Sequence, residues 1–183
     1  MKIKLVVAFS LMGVASSFAA TGFFGDVFVV ANGTSYKAAG SGGTQLSSGF
    51  GNLQEGGTFN IQGFQLNTFE NDSSVVTHMT MLWTVNNFAS TQQIQIFPAP
   101  AKSGNDRVWN TSSSTQNMLA GLGQGTYTFQ AYYEGFTNGI NTAGNIFLNN
   151  GNANYSAAFT VVPEPSAALL GAIGSLLLLR RRR

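Results

Sequence analysis

The sequence predicts an all-β chain, an antiparallel β-sandwich of immunoglobulin-like or jelly-roll type, and three observations carry that prediction. Large apolar residues alternate with polar ones through the middle of the chain, the period of strands with one face buried. Gly- and Asn-rich turns separate these alternating runs at short intervals. No long amphipathic helical segment lies between them, so the crossover helices of a parallel sheet have no source.

The strands follow in order. Residues 24–31 and 34–39 flank Asn32-Gly33, the dipeptide favoured by a two-residue type I′ hairpin turn. Over 58–69, Phe59 and Ile61 hold one phase while Phe64 and Leu66 hold the other. Gly63 sits at the slip, and a glycine there predicts a bulge. Residues 75–85 send Val75, Met79, Met81, Trp83 and Val85 to one face, with Val76, His78, Thr80 and Leu82 on the other. Residues 93–97 alternate through Ile94 and Ile96 and stop at Pro98. Segment 113–122 is the one stretch suited to a helix, of about two turns. Over 126–134, Tyr127, Phe129, Ala131 and Tyr133 oppose Thr128, Gln130 and Glu134. A short strand at 145–148 precedes a last one carrying Tyr155, Ala157, Phe159 and Val161. The stretch from Leu122 to Phe129 looks like the tyrosine corner of immunoglobulin-like sandwiches, with Tyr127 opening a strand and Phe129 in the place of the second Cys.

Composition excludes several classes. The chain has 183 residues, 9% of them charged, no cysteine and a formal net charge of +2. Thiolate metal sites, disulfide scaffolds and cysteine nucleophiles are therefore out. The positive balance belongs to the ends: between residues 20 and 162, three cations (Lys37, Lys102, Arg107) face six anions, a net of −3. A basic face for nucleic acid is missing from the middle. Asn, Gln, Ser and Thr supply 55 of the 143 residues from 20 to 162, so amides and hydroxyls wet the surface in place of ions. The aromatic and β-branched alternation argues against disorder.

Both ends read as export signals. Met1–Ala19 has Lys2 and Lys4, an apolar run from Leu5 to Ala15, and small residues at Ser17 and Ala19 that fit a signal-peptide cleavage site. At the other end, Pro163-Glu164-Pro165 forms a stiff extended segment. Thirteen uncharged residues, 167–179, then lead to Arg180, Arg181, Arg182 and Arg183. As a helix the apolar run rises about 20 Å, a short transmembrane span against a hydrocarbon core of about 30 Å. Arginines staying on the cytoplasmic side of the inner membrane leave the middle outside, and Lys2 and Lys4 impose the same topology. The chain thus divides into a signal peptide (1–19), an exported domain (20–162) and a tail (163–183).

This tail resembles the PEP-CTERM sorting signal of Gram-negative bacteria, in which a Pro-Glu-Pro motif, an apolar helix and a basic cluster occur together. The motif falls on Pro163, Glu164 and Pro165, and the cluster on Arg180–Arg183. The resemblance implies processing by an exosortase, a membrane-embedded transpeptidase-like enzyme, and a cell surface rich in exopolysaccharide.

Candidate chemistry in the middle is sparse. His78 is the single histidine, so a His-based metal cluster is impossible, and its mid-strand position fits a half-exposed strand residue. Glycosidase chemistry needs two carboxylates about 5–10 Å apart, and no spacing pairs the six acids. Glu70, Asn71 and Asp72 contain oxygen ligands for calcium, without the spacing of an EF-hand loop. Asp106-Arg107 reads as a surface ion pair of small value. Four Asn-x-Ser/Thr sequons, at Asn32, Asn71, Asn110 and Asn154, are expected by chance in so Asn- and Thr-rich a chain. Among Trp83, Trp109, Tyr132 and Tyr133, the better candidates for stacking on sugar rings are Trp109, in a polar loop between Arg107 and Asn110, and Tyr132, which points away from its strand's core set. The expectation is a non-enzymatic surface or matrix protein, structural or adhesive, with no catalytic residues, metal or cofactor. The alternatives are a carbohydrate-binding module acting on exopolysaccharide through Trp109 and Tyr132, and, further off, a glycoside hydrolase.

Overall fold

A computed structural model describes residues 21–70, 74–86, 91–139 and 144–164, with 169, 170 and 173. The expected signal peptide (1–19), Pro165 and Arg180–Arg183 lie outside the described residues, as does most of the expected transmembrane helix. Leu169, Leu170 and Ile173 are helical and exposed. Among the described residues no helix is long and apolar enough to cross a membrane.

The described chain is all-β. In order the strands are β1 (Thr21–Ala31), β2 (Thr34–Ala39), β3 (Gly51–Gln54), β4 (Asn60–Glu70), β5 (Ser74–Val85), β6 (Gln92–Ile96), β7 (Asp106–Thr111), β8 (Gln116–Asn117), β9 (Gly125–Gly139), β10 (Gly144–Leu148) and β11 (Tyr155–Val162). One sheet runs β2-β1-β4-β7 with β8 also on β4, and the other β3-β11-β9-β5-β6 with β10 also on β9. Their inner faces share one core in a sandwich-like arrangement: Val29, Ile61, Phe64, Leu66 and Trp109 from the first sheet meet Met79, Met81, Phe129, Tyr133 and Phe159 from the second. The Phe64 and Tyr133 rings meet edge to face at 5.6 Å, and the Tyr133 hydroxyl donates to the Phe28 carbonyl at 3.3 Å.

Local chemistry explains the register. Asn32 and Gly33 both take positive φ (48° and 80°), and Ala31 pairs with Thr34, as the type I′ turn demands. The β1–β4 register shifts where Val30 pairs with Gly63 and Ala31 with Ile61, so the expected bulge is present. A Cβ on Gly63 would lie 1.9 Å from the Thr111 carbonyl oxygen, which is why β7 approaches so closely there. The Tyr127 hydroxyl donates to the Gly123 carbonyl at 3.0 Å, the bond a tyrosine corner makes.

Four expectations are corrected. The second sheet is not wholly antiparallel, because β3 runs parallel to β11. Segment 113–122 is not a helix: β8 pairs with β4, and Asn117 Oδ1 accepts from the Phe59 and Leu119 amides, a local bond that competes with helix formation. The expected polar loop between Arg107 and Asn110 is part of strand β7. On β5, Val76 rather than Val75 is in the core, because the ladder to β9 skips Thr77 and resets the alternation before His78.

Candidate functional site

Trp109 is 0% exposed, and its Nε1 donates to Thr68 Oγ1 at 2.8 Å. Its pairing partner Leu66 and the Thr68 hydroxyl enclose it, so no ring face is open to a sugar. Its assignment as a stacking residue is therefore corrected: it is a core anchor. Trp83 and Tyr133 are likewise buried, while Tyr132 lies half-buried on the outer face of the second sheet. Burial first, and the Glu134 carboxylate second, push the Tyr132 hydroxyl above its ordinary pKa of 10.0.

The acidic candidates are also placed. The phase set by Gly63 turns Glu70 inward, and it is 1% exposed. Its Oε1 accepts from Arg107 Nε at 2.6 Å and from the Val76 amide at 3.1 Å, while the Lys102 ammonium stands 3.9 Å from Oε2. Arg107 also donates to the Pro100 carbonyl. Arg107 thus pairs with Glu70 across strands, not with Asp106 on the surface. The carboxylate is taken by two cations, which disfavours calcium there, while Asn71 and Asp72 lie outside the described residues. Among the described residues no group of three His, Cys, Asp or Glu side chains converges as a metal site.

Lys37 bonds Asp26 at 2.6 Å and sits 5.4 Å above the Phe28 ring. All three cations of residues 20–162 are therefore paired with carboxylates inside the domain.

The outer face of the second sheet collects aromatic rings. Directly opposed residues share a face, so the pairs His78–Phe136, Thr80–Glu134 and Leu82–Tyr132 define the outer rows of β5 and β9. His78 stacks on Phe136 at 4.1 Å and 12°, and Phe97 meets His78 edge to face at 6.1 Å. At the other flank Phe147 opposes Glu134, whose carboxylate accepts from the Asn145 amide. Phe97 and Phe147 are 72% and 55% exposed. Gln95 covers Thr80 by donating to its hydroxyl at 3.3 Å. The sequence carried a signal for this row: the outward parity of Tyr132 continues to Glu134 and Phe136, and that of Thr80 to His78.

Two hollows lie at the end of the molecule where β5 and β11 finish. A cleft of about 340 Å³ is lined by Trp83, Gln92, Gln116, Asn117, Met118 and Leu122, among others. Its amides are largely spent internally: Trp83 Nε1 donates to Gln116 Oε1 (3.0 Å), and Gln116 Nε2 to the Gln93 carbonyl (2.8 Å). No titratable side chain lines it. The second, about 270 Å³, lies between Glu55, Gly56, Gln124, Pro163 and Glu164. Gln124 donates to Glu55 at 2.9 Å, and the Glu55 amide donates to the Val162 carbonyl at 2.9 Å, bracing the end of β11 where the Pro-Glu-Pro segment begins.

No family model matches the chain, and no curated protein is significantly similar to it.

Proposed function

We propose that the chain is an exported cell-surface or extracellular-matrix protein with a non-enzymatic, structural or adhesive role, sorted through its tail by an exosortase. One observation carries this reading: Pro163-Glu164-Pro165, Ser166, the thirteen uncharged residues 167–179 and four arginines follow directly on the last described strand, which ends at Val162. On this reading residues 1–19 are removed on export, the arginines stop at the inner membrane, and the domain faces outward. A surface wetted by amides and hydroxyls suits a polysaccharide-rich exterior. The Tyr127–Gly123 bond, and Trp83 packed on Phe129 at 5.9 Å and 30°, favour the immunoglobulin-like variant of the sandwich over the jelly roll.

Mass spectrometry of envelope-fractionated protein tests the routing. The mature wild type is expected to lack residues 1–19, and Glu164→Ala to leave export intact while changing the mature mass or membrane retention. Precursor still carrying Met1 and Arg183, dissolved in the cytosol, overturns the reading.

A second reading, a carbohydrate-binding module, is favoured by the aromatic row on the outer face of the second sheet. Tyr132 belongs to that face; Trp109 has no part in it.

A further inference from the structure

We propose that the outer face of the second sheet binds a neutral polysaccharide strand laid across β10, β9, β5 and β6, gripped near its two ends by the rings of Phe147 and Phe97. The proposal deepens the carbohydrate-binding reading above and rests on it. Ile146 and Ile96 pack against the core, so their neighbours Phe147 and Phe97 turn outward on opposite flanks of one face. Three interstrand steps separate those flanks, about 14 Å at ordinary strand spacing, the length of a short oligosaccharide. On the same face lie the His78–Phe136 stack between those flanks, Tyr132 one row beyond Glu134, Asn145 on the strand of Phe147 and Gln95 on β6, which Phe97 follows: ring surface interleaved with amides and a hydroxyl, which match the apolar faces and hydroxyl edges of sugars.

Charge selects the class of glycan. Lys37, Lys102 and Arg107 are each engaged with a carboxylate of the domain, and none belongs to this face. The face's charged side chain among β5, β6, β9 and β10 is Glu134, which repels uronates, sulfates and phosphates. A polyanion therefore finds no counter-charge here, and a neutral polymer meets no penalty. The same lack of charge would permit a second copy of the chain to dock, so self-association is an outcome to be measured.

The test uses the full chain in mild detergent, run by affinity electrophoresis through gels containing neutral glucans, mannans or galactans, with alginate as the polyanionic probe. Retardation by at least one neutral polymer and none by alginate is expected. Phe97→Ala and Phe147→Ala should each weaken that retardation about tenfold, with melting temperatures unchanged because both rings are largely exposed. Trp109→Phe serves as the core control and should leave the binding constant intact in whatever fraction is folded. Absence of retardation in every neutral gel, equal retardation of the two Phe variants and wild type, or preference for alginate overturns the proposal. Sedimentation of the wild type as a dimer that Phe97→Ala dissociates overturns it as well, in favour of self-association. Surface location is scored separately by fractionation, so a correctly exported protein that binds no glycan defeats this inference and leaves the routing untouched.

Discussion

Replacing Arg107 with Met isolates the buried charge cluster. In the wild type the Glu70 carboxylate has the Arg107 guanidinium at 2.6 Å, the Val76 amide at 3.1 Å and the Lys102 ammonium at 3.9 Å, with the Glu70 side chain 0% exposed. The substitution keeps the aliphatic stem of Arg107 but leaves a buried carboxylate with one good donor. Breaking a buried pair from one side costs about 3–5 kcal/mol, and Lys102 holds the value near the lower end, about 3 kcal/mol. For a domain of this size that corresponds to a fall in Tm of about 10 °C. In Glu70→Gln/Arg107→Met the Gln carbonyl can still accept from Val76 and no lone buried charge remains. The double variant should therefore recover to within about 1 kcal/mol of wild type. Thermal and guanidinium melts followed by tryptophan emission measure all members of the cycle, Trp109 reporting from the neighbouring position on the inner face of β7. A loss under about 0.5 kcal/mol for Arg107→Met, the range of ordinary surface changes, would refute the claim that water is excluded from this cluster.

Two further predictions concern the core. Gly63→Ala places a Cβ 1.9 Å from a main-chain oxygen of β7 that no rotamer change can move, so it should cost more than about 3 kcal/mol and expose Trp109 to quencher; an unchanged Tm would sink the close-approach argument. Burial drives the Tyr133 hydroxyl far above its ordinary pKa of 10.0, with the Tyr155 charge adding to the effect. The unfolded chain therefore loses this proton first, and the stability it contributes is intact below pH 10 and lost as pH rises beyond it. Melts between pH 8 and pH 11 should decline more steeply for wild type than for Tyr133→Phe, and parallel curves would contradict the assignment.

Much of the fold was legible because the alternation is strong where strands are long and one face is apolar. Phe59, Ile61, Phe64 and Leu66 announced both β4 and its bulge, and Asn32-Gly33 announced the first hairpin. β7 escaped notice because its inward residues are Arg107, Trp109 and Thr111 while apolar Val108 points out, so hydropathy alternates with the wrong sign. β3 is short and gains its place from β11, about a hundred residues later, which no local pattern records. Strict alternation put Val75 with Met79 and Met81, and the bulge at Thr77, visible only in the ladder to β9, puts Val76 in the core instead. The candidate site was half visible. Tyr132 stood out by parity, whereas Trp109 misled because Asn and Arg neighbours suggested solvent; those neighbours face outward or are consumed by Glu70. Phe97 and Phe147 come to one face through the order of β10, β9, β5 and β6, which is a property of topology.

The brace at the end of the domain has a mechanical meaning. β11 is flanked by β9 along seven residue pairs and by β3 along four, one antiparallel and one parallel. On the proposed routing, with the tail held at the membrane, tension entering beyond Glu164 would run along the axis of this strand, and the hydrogen bonds on both sides would be sheared together instead of peeling apart one at a time. A glycan seated between Phe97 and Phe147 would load the same sheet two and three strands away. Force between tether and cargo would then stay within a single layer, leaving the interface between the two sheets unstressed.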